Sequence, residues 1–190
     1  MRRLILVKHS LPEISSERPR PEWPLSEEGR SRCVRLADRL RNYGPLRIWT
    51  SPEPKAHGTA TALAAALGTV EAAVQTIDAL REQDDHGVPF LGEAALRAAV
   101  ENFFKRPAEA VFGPETADDA YHRFSAAVDG LPDPIEGRSN VVVAHGRVIS
   151  LFVARRTHLD PFDVWGRLGL PSFVVLRLVG EHLPEIIESL

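Results

Sequence analysis

The chain has 190 residues, 44% of them hydrophobic and 26% charged, enough for one well-buried soluble core. A net charge of −3 supplies no basic stripe for nucleic acid, and no apolar run approaches the roughly 18 residues of a membrane span. The one cysteine, Cys33, excludes an intramolecular disulfide and a cysteine-rich zinc site. It lies in a helical pattern, where a buried thiol in a reducing cytoplasm is the expectation.

The chain opens on Leu4-Ile5-Leu6-Val7, a four-residue strand that ends in Lys8-His9-Ser10. With Arg2 and Arg3 ahead of it, this run mimics a secretory signal, but it is shorter than the roughly 7–15 apolar residues a signal needs. Leu11 to Pro24 holds four prolines and few apolar residues and predicts a long loop. Ser26 stands as an N-cap before Glu27 and Glu28. Cys33, Leu36, Ala37 and Leu40 then recur at helical spacing, and Tyr43-Gly44-Pro45 ends that helix.

Arg47 to Thr50 predicts a second strand with an exit turn at Ser51-Pro52-Glu53-Pro54. A helix is expected from about Lys55 to Leu67, closed by Gly68, and a weak third strand over Val74 to Ile77. Leu80 to Gly92 is polar and irregular. Helices follow at Glu93–Lys105 and Thr116–Val128, then a loop through Asp129-Gly130 and Pro132-Asp133-Pro134. Val141 to Ala144 is a strand that delivers His145-Gly146. An apolar helix is expected from about Val148 to Arg156, a short helix opening at Asp160-Pro161, a strand over Ser172–Leu178, and an edge strand from the final residues. This alternation predicts an α/β protein: a three-layer α/β/α sandwich with a mostly parallel central sheet. Residues 1–190 form a single domain in this reading, with a helical insertion over about 80–130 that could cap the crevice.

Ligands of open α/β sheets bind outside the carboxyl ends of the strands. His9 and His145 both lie at such ends, and Lys8 adds a cation. One imidazole could attack phosphorus, flanking donors could neutralise phosphoryl oxygens, and a carboxyl group could protonate the leaving alkoxide. The bland reading, a core histidine with a satisfied hydrogen bond, carries equal weight on these residues alone. His57, His122, His158 and His182 are expected on surfaces, and no histidine or carboxylate set has metal-ligand spacing. Arg147 is placed on the first turn of its helix rather than in the crevice. Arg18, Arg20 and Trp23 are equally a substrate rim or a solvated loop.

Five landmarks in order resemble the histidine phosphatase superfamily, the phosphoglycerate mutase-like fold. They are Lys8-His9-Ser10 for Arg-His-Gly, Leu25-Ser26-Glu27-Glu28-Gly29, Ser51-Pro52-Glu53-Pro54-Lys55-Ala56-His57-Gly58-Thr59-Ala60, Leu80-Arg81-Glu82, and His145-Gly146. The resemblance implies His9 as the nucleophile and His145 as a donor to the phosphoryl oxygens. It implies Lys8 and Lys55 at two phosphate-binding positions, and Glu82 as proton donor. Asp84, Asp85, His86, Glu93 and Glu115 compete for that last role. No metal or other cofactor is implied. The partner is a small phosphorylated substrate or phosphate, and a homodimer is neither required nor excluded.

Three residues depart from the family pattern. Lys8 and Lys55 replace arginines, exchanging a planar fork for a point charge. Lysine is scarce here, three residues against twenty arginines, so two of three falling on these positions is not drift. Ser10 replaces a glycine; it narrows the floor but offers a hydroxyl to phosphate. Two readings stay open: a metal-independent phosphomonoester hydrolase, with weakened activity if the replacements cost it, or a catalytically impaired phosphate-binding or regulatory module. A mutase is disfavoured, because mutases of the family carry extra segments.

Overall fold

The computed structural model describes residues 3–44, 46–69, 74–133, 139–177 and 185–187. The elements are β1 (Arg3–Lys8), α1 (Glu27–Leu40), β2 (Leu46–Thr50), α2 (Pro54–Leu67), β3 (Val74–Thr76), α3 (Glu93–Lys105), α4 (Ala117–Asp129), β4 (Ser139–Ala144), α5 (Gly146–Thr157), α6 (Pro161–Arg167), β5 (Ser172–Arg177) and β6 (Glu185–Ile187). One sheet runs in the order β3-β2-β4-β1-β5-β6. Its first four strands are parallel, and β5 and β6 are added antiparallel. The expected mostly parallel α/β fold is therefore present, with the edge strand foreseen at the carboxyl end. Pro45, Pro134 and His182 lie outside the described residues.

Side chains alternate across the sheet with period two. Ile5, Val7, Val141, Val143 and Ile48 pack with α1 and α2 on one face. Leu4, Leu6, Val142, Ala144 and Val174 pack with helices α3 to α6 on the other. Burial on both faces explains why β1 and β4 are continuous apolar runs rather than alternating ones.

Two boundaries differ from expectation for a visible reason. Helix α2 begins at Pro54, where proline's missing N–H costs nothing. Helix α5 begins at Gly146, two residues earlier than expected, with His145 at its N-cap and no side-chain cap from that residue. Its first N–H groups are instead accepted by a residue 65 positions away, Glu82: Arg147 N to Oε2 at 3.0 Å and Val148 N to Oε1 at 3.1 Å. A cap supplied from that distance leaves no local signal.

The Leu25-Ser26-x-x-Gly29 landmark has a packing cause. Ser26 Oγ accepts the Gly29 N–H at 2.9 Å and donates to Leu11 O at 2.8 Å, which ties α1 to the loop after β1. A Cβ on Gly29 would sit 2.2 Å from Leu11 O and 2.8 Å from Leu25 Cδ1. Gly29→Ala thus opposes a helix-propensity gain of about 1 kcal/mol with a backbone clash. Overpacking should win, with a net loss of about 1–3 kcal/mol in urea unfolding. A neutral or stabilised Gly29→Ala protein would contradict this packing.

Candidate active site

Pairing of β1 with β4 (Val7 with Val143, Lys8 with Ala144) aligns their carboxyl ends. The ladder runs one step further: His9 N donates to Ala144 O at 2.9 Å, and Ser51 N, just after β2, to Val143 O at 3.0 Å. Three adjacent strand ends thus present His9, His145 and Ser51 at one edge. The imidazole centroids lie 5.2 Å apart with planes inclined by 59°. Both rings line a cavity of about 240 Å³, together with Lys8, Lys55 and Glu82.

The hydrogen bonds fix the state of His9. Its Nδ1 lies 2.8 Å from Ser10 O. A carbonyl can only accept, so the proton sits on Nδ1 and Nε2 carries the lone pair. Burial is the main cause holding the pKa well below its ordinary value, with His145, Lys55 and Lys8 adding to it against the Ser10 bond. His9 is therefore neutral near pH 7.

His145 is completely buried. Its Nε2 is 2.8 Å from Ser51 Oγ and 3.4 Å from Glu53 Oε1, while Nδ1 has no hydrogen-bond partner. Burial again dominates in holding its pKa well below the ordinary value, reinforced by Lys55, Arg147, Arg123 and Lys8. Ser51 Oγ accepts the Glu53 N–H at 3.2 Å. Ser51 Oγ and the Glu53 carboxylate thus both lie beside His145 Nε2, and the ring itself lines the cavity.

The two lysines reach the cavity with internal partners already in place. Lys8 Nζ donates to Leu168 O at 2.7 Å. Its pKa is lowered to about 8 by burial, against the pull of Glu82. Lys55 Nζ donates to Glu53 Oε2 at 2.5 Å and to Arg20 O at 2.8 Å. Ser10 is not brought to the cavity. It is buried, its N–H donates to Thr59 Oγ1 at 2.9 Å, and its Oγ has no hydrogen-bond partner. Cys33 is the buried thiol expected, its pKa raised to about 11 chiefly by that burial.

The carboxylates sort by partner. Glu82 lines the cavity, and three backbone N–H groups, those of Gln83, Arg147 and Val148, orient it. Its nearest side-chain cation atom is Arg147 Nε at 3.5 Å. Asp85, expected to be a candidate acid or a solvated loop residue, is buried. Its Oδ2 receives Arg20 Nη1 and Arg147 Nη2, each at 3.1 Å. Glu115 is engaged by Arg123 of α4: burial acts to raise its pKa, but the Arg123 and Asp84 hydrogen bonds hold it below the ordinary value. Arg123 also donates to the carbonyls of Ala79, Arg81 and Glu82, so α4 braces the segment that carries Glu82. His57, His86, His122 and His158 are exposed.

Arg147 corrects its expected placement. It occupies the first turn of α5 and also lines the cavity, buried and spread over Phe112. Arg20 and Trp23 belong to the rim, whereas Arg18 is not among the lining residues and contributes a carbonyl to Trp23 Nε1. Ser51 and Glu53 were missed as site residues. An acid two positions before a lysine at a helix start was the available signal for Glu53. No cluster of three or more metal-ligating side chains occurs among the described residues, and no described helix is long and apolar enough to cross a membrane.

Comparison with known proteins agrees with this fold. The chain is 28% identical over 156 residues to phosphoglycerate mutase-like protein 4 of Arabidopsis thaliana, covering 77% of this chain and 67% of that one. A solved structure named mycobacterial hydrolase 1 is 26% identical with a TM-score of 0.74, over 92% of this chain and 91% of that one. A mycobacterial glucosyl-3-phosphoglycerate phosphatase shares the fold at 24% identity, with a TM-score of 0.79 over 100% and 99% of the two chains. The family profile of the histidine phosphatase superfamily, branch 1, matches residues 4–183, so the chain belongs to that superfamily.

Proposed function

We propose that the protein is a metal-independent phosphomonoester hydrolase that works through a phosphohistidine on His9. The observation that carries this reading is the His9 hydrogen bond: Nδ1–H is held by Ser10 O, and Nε2 is neutral and free to attack. Four cationic side chains and three carboxylates line the cavity, so it carries one net positive charge with both imidazoles neutral. That balance favours a phosphoryl dianion without a metal.

In the proposed reaction, His9 Nε2 forms a bond to phosphorus and the P–O bond to the leaving group breaks. His145 donates a ring N–H to a phosphoryl oxygen, where negative charge collects. The form that reacts holds one proton more than that charge count, on Glu82, which gives it to the departing alkoxide. Glu82 then takes one from the water that cleaves the P–N bond and releases inorganic phosphate. Glu82 is preferred over Glu53 and Asp85 because those two are committed to cations at hydrogen-bond distance. Lys8 and Lys55 serve as phosphate ligands through the N–H groups left after their internal bonds, since each ammonium has three donors. The buried, unpaired Cys33 suits a reducing, cytoplasmic setting.

One observation favours the second reading, a phosphate-binding module with impaired turnover. Both lysines spend donors on protein acceptors, Lys8 on Leu168 and Lys55 on Glu53 and Arg20. Turnover of para-nitrophenyl phosphate in the presence of chelator separates the two. The hydrolase reading expects activity that survives chelation and drops by at least about a hundredfold in His9→Ala. Equal background rates for wild type and His9→Ala, with phosphate still bound, would instead support the module.

The lysine at position 8 also predicts a pH dependence. Its lowered pKa leaves it charged below about pH 8 and neutral above. Affinity for sulfate, whose charge does not change over this range, should therefore fall about tenfold as pH rises through that value. Lys8→Arg should move the loss to higher pH. Calorimetric affinities that stay flat in wild type would show that Lys8 does not bind the anion.

A further inference from the structure

Besides the charged groups and histidines, the cavity is lined by apolar side chains. Ile14, Pro21 and Trp23 come from the loop after β1; Leu96 and Val100 come from α3, and Trp165 from α6. Ile14 is 59% exposed and Phe90 is 53% exposed, two of the three exposed large hydrophobic residues among those described. Ile14 lines the cavity, and Phe90 packs on Trp23 with ring centroids 6.3 Å apart. Apolar surface left open beside a built anion site marks a place where apolar matter binds.

The charges nearest these walls are already paired. Arg20 and Arg147 share the Asp85 carboxylate, and both guanidinium groups lie over the Phe112 ring, at 5.8 and 4.9 Å from its centroid. Arg20 gives a further hydrogen bond to Pro89 O at 2.9 Å. The Trp23 indole N–H is used by Ser15 O at 2.9 Å, so the ring offers substrate its apolar surface. A second anionic group on the substrate would meet two arginines whose charge Asp85 already partly offsets. A polyhydroxylated one would lose water to walls that return few hydrogen bonds.

We infer that the leaving group is apolar and uncharged: the site takes phosphate monoesters of aryl or alkyl-aryl alcohols in preference to those of sugars or hydroxy acids. This inference rests on the hydrolase reading for turnover, but not for binding. The cavity volume of about 240 Å³ lies a little below the usual range for small-molecule pockets, and suits one phosphoryl group with one ring-sized substituent.

The test uses esters of aliphatic alcohols, so that leaving-group basicity does not set the order. The value of kcat/KM for 2-phenylethyl phosphate should exceed those for glycerol 3-phosphate and 3-phosphoglycerate by about tenfold or more, mainly through KM. Trp23→Ala and Leu96→Asp should each pull that ratio towards one. In parallel, calorimetry compares two unreactive phosphonates, 2-phenylethylphosphonate and methylphosphonate. The first should bind about tenfold tighter. An equal or inverted ester preference, or phosphonates that bind equally or not at all, would overturn the inference. If no ester is turned over above the His9→Ala background, the hydrolase reading fails alone, and the phosphonate comparison still decides the nature of the walls.

Discussion

The parallel pairing of β1 with β4 is the constraint from which the site follows. The register that places Lys8 opposite Ala144 brings two histidines separated by most of the chain to ring contact. A slip of one residue would turn both runs over and exchange the faces that pack α1 and α2 for those that pack α3 to α6. Because both faces are buried, that slip is opposed by the whole core. The site thus inherits its rigidity from hydrophobic packing, and its polar groups need only be oriented locally.

That local orientation is done by hydrogen bonds to neighbouring backbone and side-chain groups. Ser10 O sets the tautomer of His9, Ser51 and Glu53 flank His145 Nε2, and the start of α5 holds Glu82. Glu53 joins these parts. Its Oε2 pairs with Lys55 and its Oε1 accepts the Glu82 N–H at 2.7 Å. The two lysines at positions where the family resemblance expects arginine fit this design. A compact ammonium can serve one internal acceptor and keep donors for a ligand, whereas a guanidinium fork fixes the geometry of all its donors together.

The strands and helices were legible because their signals are local. Leu4 to Val7 and Val141 to Ala144 are short apolar runs, Ser26 is the N-cap expected, and Gly68 ends α2 in the left-handed conformation. His9, His145 and Glu82 could be singled out through ordered motifs. The remaining features depend on contacts between distant segments. The start of α5 is capped from Glu82, Asp85 is buried only because Arg20 and Arg147 converge on it, and Arg147 is both a helix residue and a cavity residue. Ser10 is engaged in the same way, its N–H donating to Thr59 Oγ1 of α2, a neighbour that sequence spacing does not reveal.

The account turns on His9 Nε2 as the atom that accepts phosphorus. Rapid mixing with excess para-nitrophenyl phosphate, quenching in denaturant at high pH, and intact-mass and peptide analysis test this directly. A phosphohistidine survives base and is lost in acid. The account predicts one phosphoryl group per chain, acid-labile, on the peptide containing His9 and absent from His9→Ala. Turnover with no trapped phosphoryl group, or with the group on another residue, would contradict it.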